Sequence, residues 1–230
     1  MSDFIANFQE TLAYVGVLMP SLLTGAWYTV KLFVVTLVLS LPLGLPFALG
    51  GNSRFWIFRF VCKTYIWIFR GTPLILQLFF FYFFIPISMG IRFSAFTTAA
   101  ITFVLNYAAY FAEIYRGGIN SIDHGQYEAA HSLGLSKSQT MFGIILPQTM
   151  KCVLPPVSNE AIVLIKDTAL VSVMGVAELM KASTSAVNRD VNPSAYLVAA
   201  VIYLIFTFLL TLLSNFLERR FSMYDARGEW

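Results

Sequence analysis

Apolar residues dominate this chain in long runs, and the polar residues that interrupt them are short and spaced at intervals close to a bilayer thickness. The first run, Leu22–Leu49, ends at a polar break, Gly50-Gly51-Asn52-Ser53-Arg54. A second runs from Trp56 to Ile87 and is interrupted by Arg70-Gly71-Thr72-Pro73. Further runs cover Phe93–Tyr115, Pro156–Met180 and Ala195–Phe216. A membrane-crossing helix needs about 20 apolar residues, so the pattern predicts about five spans. Ahead of them, residues 1–20 place Phe4, Ile5, Phe8, Leu12 and Val15 at helical spacing, as in a short amphipathic helix at an interface. The expected organisation is an N-terminal interfacial or periplasmic segment (1–20), a transmembrane domain (21–217) and a charged cytosolic tail (218–230).

Composition agrees. The chain is 58% hydrophobic and 12% charged, with mean hydropathy +0.72, whereas soluble domains run at about half apolar and about a quarter charged. The expected fold class is an all-α integral membrane protein. A net charge of +3 is too small to suggest nucleic acid as a partner; membrane lipid is the expected surroundings. Met1–Glu10 lacks a basic leader pattern, so the first span is expected to act as the insertion signal.

The basic residues set an orientation. With the N-terminus outside, cytosolic segments hold Arg54, Arg59, Lys63, Arg116, Lys137, Lys151, Arg219, Arg220 and Arg227, and outer segments only Arg92, Lys181 and Arg189. That puts the polar stretch Glu128–Pro147, within residues 120–147, in the cytosol with the C-terminus. Ala129, Ala130, Leu133 and Leu135 can share a face of a short helix there. Gly134 gives a tight turn or a close contact, and Pro147 marks a helix boundary.

Ionisable groups inside a span cost at least about 2.5 kcal/mol near its centre, so they face a cavity or a partner. Arg70 and Thr72, Asn106, and Lys166 and Asp167 fall near the midpoints of three runs. Glu160 and Asp167 lie within about 20° of one helical face. Such a set (Arg70, Thr72, Asn106, Glu160 and Asp167) matches a zwitterion with ammonium and carboxylate ends, though an internal ion pair between Asp167 and Arg70 would also account for it. Glu113 stands three residues before Arg116, a spacing for an ion pair.

Other chemistry is missing. There is no G-x-x-x-x-G-K-[ST] phosphate loop, no H-E-x-x-H and no G-x-S-x-G. Cys62 and Cys152 form no C-x-x-C pair, and His124 and His131 lack further ligands at metal spacing, so no metal site is expected.

The spaced residues Glu128-Ala129-Ala130, Gly134 and Ile144-x-Leu146-Pro147 resemble the signature of the permease subunits of bacterial ATP-binding-cassette importers. Three further blocks resemble the polar amino acid uptake group: Arg70-Gly71-Thr72-Pro73-Leu74 with Gln77; Ala109-Tyr110 through Glu113 to Arg116-Gly117-Gly118; and Asn159-Glu160 with Lys166-Asp167-Thr168-Ala169-Leu170. Gly25 and Thr29 fit a looser pattern. Ala169 departs from the serine common in that group, and His131 is a further difference. The resemblance implies a type I importer permease fold in which Glu128, Ala129, Ala130, Leu133 and Gly134 belong to a cytosolic coupling helix docking on an ATPase. It implies as partners a second permease chain, an ATPase dimer and an extracytoplasmic amino-acid-binding protein. ATP and magnesium would be used by the ATPase, with no cofactor on this chain, in the bacterial cytoplasmic membrane. A secondary amino acid transporter or channel working alone is the alternative.

Overall fold

The computed structural model describes residues 2–222, with side chains from residue 13 to residue 221. The proposed apolar face on Phe4, Ile5, Phe8 and Leu12, and Arg227 in the tail, lie outside the described side chains. The described chain is helical, with no strand. Helix α1 (Ser2–Gly51) is followed by α2 (Trp56–Gly71), α3 (Leu74–Phe79) and α4 (Ile85–Met89). Next come α5 (Ala95–Asn120), α6 (His124–Ser132), α7 (Lys137–Thr140), α8 (Leu146–Asp167), α9 (Leu179–Asp190) and α10 (Ser194–Ser222). Among the described residues three helices, Ala13–Gly51, Ala95–Asn120 and Ser194–Phe221, are long and apolar enough to cross a membrane, or four if the broken pair α2 and α3–α4 is counted as one span.

Several expected boundaries shift. The change from interfacial segment to span at residues 20–21 falls inside α1, and position 217–218 falls inside α10. The fourth run does not begin at Pro156. Pro155 and Pro156 lie within α8, which starts at Leu146, and after Asp167 the helix tightens into a 3-10 segment, Thr168–Met174. Where the sequence predicts a break at Arg70–Pro73, one is found. Pro73 disfavours helical geometry at the residue before it, and Thr72 is extended (φ −117°, ψ 143°).

Pro147 does not end a helix. Lys137 to Asp167 is continuously helical because a π turn, Met141–Ile145, precedes the proline, with the Leu146 N–H donating to Met141 O. The same device precedes Pro86: Phe80–Phe84 form a π turn and the Ile85 N–H donates to Phe80 O. A proline has no N–H and its ring crowds the carbonyl four residues back. Widening the preceding turn relieves that crowding while keeping the backbone bonded.

The described chain forms two compact units. One gathers the residues up to Thr36 with Ile75–Thr102 and Val163–Leu209; the other comprises Leu37–Leu74, Phe103–Ile162 and the chain from Leu210. In the first, Leu18 and Leu22 of α1 bury against Leu179 and Ala186 of α9 and Ala195 and Ala199 of α10. Within lipid, apolar contact alone gives no preference for protein over acyl chain, so small residues that let backbones approach matter most. Gly25 is the clearest case: a Cβ there would lie 2.9 Å from Ala182 Cβ, Glu178 O and Leu179 Cα.

In the second unit, Ala48, Ile66 and Ala112 join α1, α2 and α5, framed by Phe47, Tyr65 and Tyr115. Phe47 stacks on Tyr65 with ring centroids 4.0 Å apart. The Tyr115 hydroxyl donates to Leu41 O at 3.1 Å and that of Tyr65 to Leu105 O, so both half-buried rings find acceptors.

Gly25→Ala should destabilise the detergent-solubilised chain by about 1–3 kcal/mol through overpacking. Gly16→Ala, on the same helix with nothing within 4 Å of its added Cβ, should not destabilise it. Thermal unfolding followed by tryptophan fluorescence checks this; equal melting temperatures for the two variants would remove the close-approach role of Gly25.

Candidate functional site

The segment with the importer signature folds as a capped helix and a turn. Asp123 is the N-cap of α6, its Oδ1 accepting from the Gly125 N–H at 2.6 Å. At the other end, Leu133 closes the helix and Gly134 is left-handed (φ +73°). The Leu135 N–H donates to Ala130 O at 3.0 Å and the Gly134 N–H to His131 O at 2.9 Å. This pair of bonds is a Schellman closure, and it needs a residue that tolerates positive φ. A Cβ at Gly134 would meet nothing within 4 Å, so the turn, and not close contact, is what requires glycine there. Ser136 then starts α7 with a reciprocal capping box to Gln139. Gln148 Nε2 donates to Gln126 Oε1 at 3.1 Å, tying α8 back to α6.

The expected shared face of this helix divides. Glu128, Ala129 and Gly134 are exposed and Leu133 is 78% exposed, whereas Ala130 is 1% exposed. Adjacent helical positions differ by about 100°, so Ala129 and Leu133 lie on one side while Ala130 turns into the chain's own core. Ala130 therefore anchors the helix, and the side presented outward is Glu128, Ala129 and Leu133.

Of the expected recognition residues, Arg70, Thr72, Asn106 and Glu160 belong to the second unit and Asp167 to the first. Three of them meet at the end of α2. The Thr72 hydroxyl donates to Ile68 O at 2.8 Å and Asn106 Nδ2 to Phe69 O at 3.1 Å. Both carbonyls lie in the last turn of α2, which has no helical donors of its own. Arg70 turns the other way: its guanidinium carbon is 5.5 Å from the Tyr110 ring centroid and Nη1 is 3.7 Å from Glu113 Oε1.

Arg116 chelates the same carboxylate, with Nε donating to Oε2 at 3.0 Å and Nη2 to Oε1. The spacing of Glu113 and Arg116 predicts that pair; the geometry adds Arg70 as a third member. Arg70 thus has Glu113 as an ion-pair partner. Glu160 and Asp167 are each half-buried on α8, the latter at its last residue.

Sequence reasoning misses a buried carboxylate in the first unit. Glu178 is fully buried and caps α9, with Oε2 accepting from the Met180 N–H at 2.7 Å and Oε1 from the Lys181 N–H at 2.6 Å. The Tyr203 hydroxyl donates to Oε2 at 3.1 Å, and the Thr29 hydroxyl accepts from the Leu179 N–H at 3.2 Å. The signal was an acidic residue immediately before an amphipathic helix, a cap pattern hidden by placing Glu178 inside a span.

Also missed is Lys31, an exposed cation in the apolar part of α1 with Nζ 4.9 Å from the Phe96 ring centroid. At the far end of α9, Arg189 donates from Nε and Nη2 to Asp190, both at 2.7 Å, and Tyr14 donates to Asp190 Oδ2 at 2.9 Å. The Arg189 hydrogen bonds hold the Asp190 carboxyl down to about 2.

Comparison with known proteins gives this geometry its context. Residues 40–223 match the family described as binding-protein-dependent transport system inner membrane component. The L-cystine transport system permease protein TcyB of Bacillus subtilis is 39% identical over 210 residues, 90% of this chain and 89% of its own length. The arginine transport system permease protein ArtQ of the same organism is 37% identical, over 90% of this chain and 94% of its own. A solved amino acid ABC transporter with histidines superposes with a TM-score of 0.86 at 35% identity, covering 91% of this chain and 97% of that one. The capped signature helix, the all-helical fold and these matches lead to one assignment: the chain belongs to the binding-protein-dependent transport system inner membrane component family, the permeases of ATP-binding-cassette importers.

Proposed function

We propose that this permease moves a polar amino acid inward across the bacterial cytoplasmic membrane by alternating access, driven by ATP hydrolysis on a separate ATPase. The observation that carries the reading is the outward presentation of Glu128, Ala129 and Leu133 on a helix fixed at both ends by Asp123 and Gly134. A force-transmitting element must be rigid and exposed at once, because a frayed helix would absorb the displacement. Names borne by relatives, L-cystine and arginine transport permeases among them, support an amino acid as cargo.

In this scheme two permease chains pair and an ATPase dimer carrying ATP and magnesium docks on the α6 segments. An extracytoplasmic binding protein delivers the substrate. The N-terminus is outside and the C-terminus cytosolic, following the bias of basic residues. No cofactor is assigned to this chain. Substrate recognition is assigned to Glu160 and Asp167 for the ammonium end, with Thr72 and Asn106 supplying polar positions at the end of α2. Arg70 enters this set only by exchanging Glu113 for a substrate carboxylate, since its resting partner is that residue. In this reading the permease body is assigned to residues 21–217, flanked by residues 1–20 and 218–230.

Glu128→Lys alters an exposed side chain, so insertion and thermal stability should match wild type while uptake into proteoliposomes containing the complete importer falls at least about tenfold, a loss of about 1.4 kcal/mol in coupling. Gly134→Trp should uncouple similarly and also loosen the end of α6, because a non-glycine left-handed residue costs about 1–2 kcal/mol. Normal uptake by both variants would count heavily against the coupling role, and transport by the purified chain without any ATPase would favour the stand-alone alternative. Asp167→Asn should lower uptake with folded protein retained. A variant that fails to assemble would instead assign Asp167 to the bundle's internal ion pairs.

A further inference from the structure

Glu178 is an ionisable group that the transport reading does not use. It is fully buried at the start of α9, where α1 and α10 also meet. Four donors face its carboxyl group: the N–H groups of Met180 and Lys181, the Tyr203 hydroxyl from α10 and the Thr29 hydroxyl from α1. Lys181 contributes its backbone alone, and no cation stands against the carboxyl. Tyr203 is the one other titratable side chain facing it among the described residues. A buried carboxyl with hydrogen bonds but no counter-charge gains less from ionisation than one in water. Burial pushes the Glu178 carboxyl up to about 7, although the four donors pull the other way.

The surroundings accommodate both forms. A carboxylic acid must donate its proton, and a backbone N–H cannot turn into an acceptor, so one of the hydroxyls has to reverse. Tyr203 can do so. The Thr168 hydroxyl lies within hydrogen-bonding reach of it and sends its own proton to Ile165 O at 2.7 Å, which leaves the Thr168 oxygen able to accept. In the acid form Glu178 Oε2–H donates to Tyr203, Tyr203 to Thr168, and Thr168 to Ile165 O. The bond gained falls on the residue after Asp167, where α8 passes into the 3-10 segment. The cap on α9 weakens at the same time, because a neutral carboxyl accepts less strongly than a carboxylate. We propose that Glu178 is a proton-binding site whose occupancy sets how firmly α9 is held and ties α10 to the end of α8 through Tyr203 and Thr168, making the importer's cycle depend on pH. Two states that differ in these contacts are biased by the proton as by any other ligand. The effect on the cycle rests on the transport reading; the proton site does not.

The test is a pH titration of the complete importer in nanodiscs, followed by infrared difference spectroscopy and by ATP hydrolysis. Wild type should show a carboxylic-acid carbonyl band that disappears with a midpoint of about 7 and is missing from Glu178→Gln. Tyr203→Phe removes a donor that favours the charged form, so its midpoint should rise. Between the ordinary carboxyl value of 4.5 and about 7 the folded chain binds more protons than the unfolded one. The melting temperature of wild type should therefore fall relative to that of Glu178→Gln as pH rises through that window. Hydrolysis by wild type should change across the same midpoint by about fivefold relative to the Glu178→Gln profile, the lower end of the usual coupling between linked sites. Identical infrared titrations of wild type and Glu178→Gln, or an unmoved midpoint in Tyr203→Phe, overturn the proton site. Parallel hydrolysis profiles beside a titrating Glu178 overturn its link to the cycle. Should Glu178→Gln fail to assemble, the wild-type and Tyr203→Phe titrations decide the site between them. If the chain transports without any ATPase, the infrared and melting results still decide it, so the two readings fail separately.

Discussion

Inside a bilayer no water is available to a backbone carbonyl or N–H, so every departure from helix must be repaired by the chain itself. This constraint accounts for features that otherwise look unrelated. The break after α2 leaves carbonyls without helical donors, and Thr72 and Asn106 supply two of them, to Ile68 O and Phe69 O. Ahead of Pro86 the helix widens into a π turn in place of breaking. The start of α9 is closed by the buried Glu178 carboxylate, itself held by Tyr203. At each place a polar side chain or a changed helical pitch does what solvent would do elsewhere.

Seen this way, polar residues within apolar runs have two kinds of work, and position alone does not separate them. Thr72 and Asn106 complete a backbone, and Arg70 shares the Glu113 carboxylate with Arg116. Those three sit on one structural joint, the end of α2 against α5. A substrate that engaged any of them would compete with a bond holding that joint, which gives a direct physical link between occupancy and the position of α2. Two states that differ in such contacts are what a ligand needs in order to shift a conformational balance.

The α6 segment obeys the opposite logic. It lies outside the apolar runs, its ends are fixed by side-chain and Schellman caps, and its Ala130 is buried while Glu128, Ala129 and Leu133 are offered outward. Rigidity comes from local hydrogen bonds and attachment from one small buried residue. The Gln126–Gln148 contact passes to α8, the helix that also carries Glu160 and Asp167. A displacement of α6 therefore has a covalently continuous helical route, from Lys137 through the π turn to Asp167.

The sequence by itself determined the all-helical membrane class, the break at Thr72-Pro73 and the Glu113–Arg116 pair, together with the family that its spaced signature resembles, and it narrowed Gly134 to a turn or a close contact, between which the structure chose the turn. Each follows from local rules: hydrophobic run length, the conformational limits of proline and glycine, and the three-residue spacing of side chains on one helical face. Only the tertiary structure decided that Pro147 lies inside a continuous helix, that Ala130 faces inward, that Arg70 joins the Glu113 pair and that Glu178 is a buried cap. Those outcomes depend on which elements pack together, and residues far apart in the chain, such as Thr29 with Leu179 or Phe69 with Asn106, leave no periodic trace of their contact. The limit was physical: hydropathy records how deep a side chain sits, whereas the partner it finds there is set by packing.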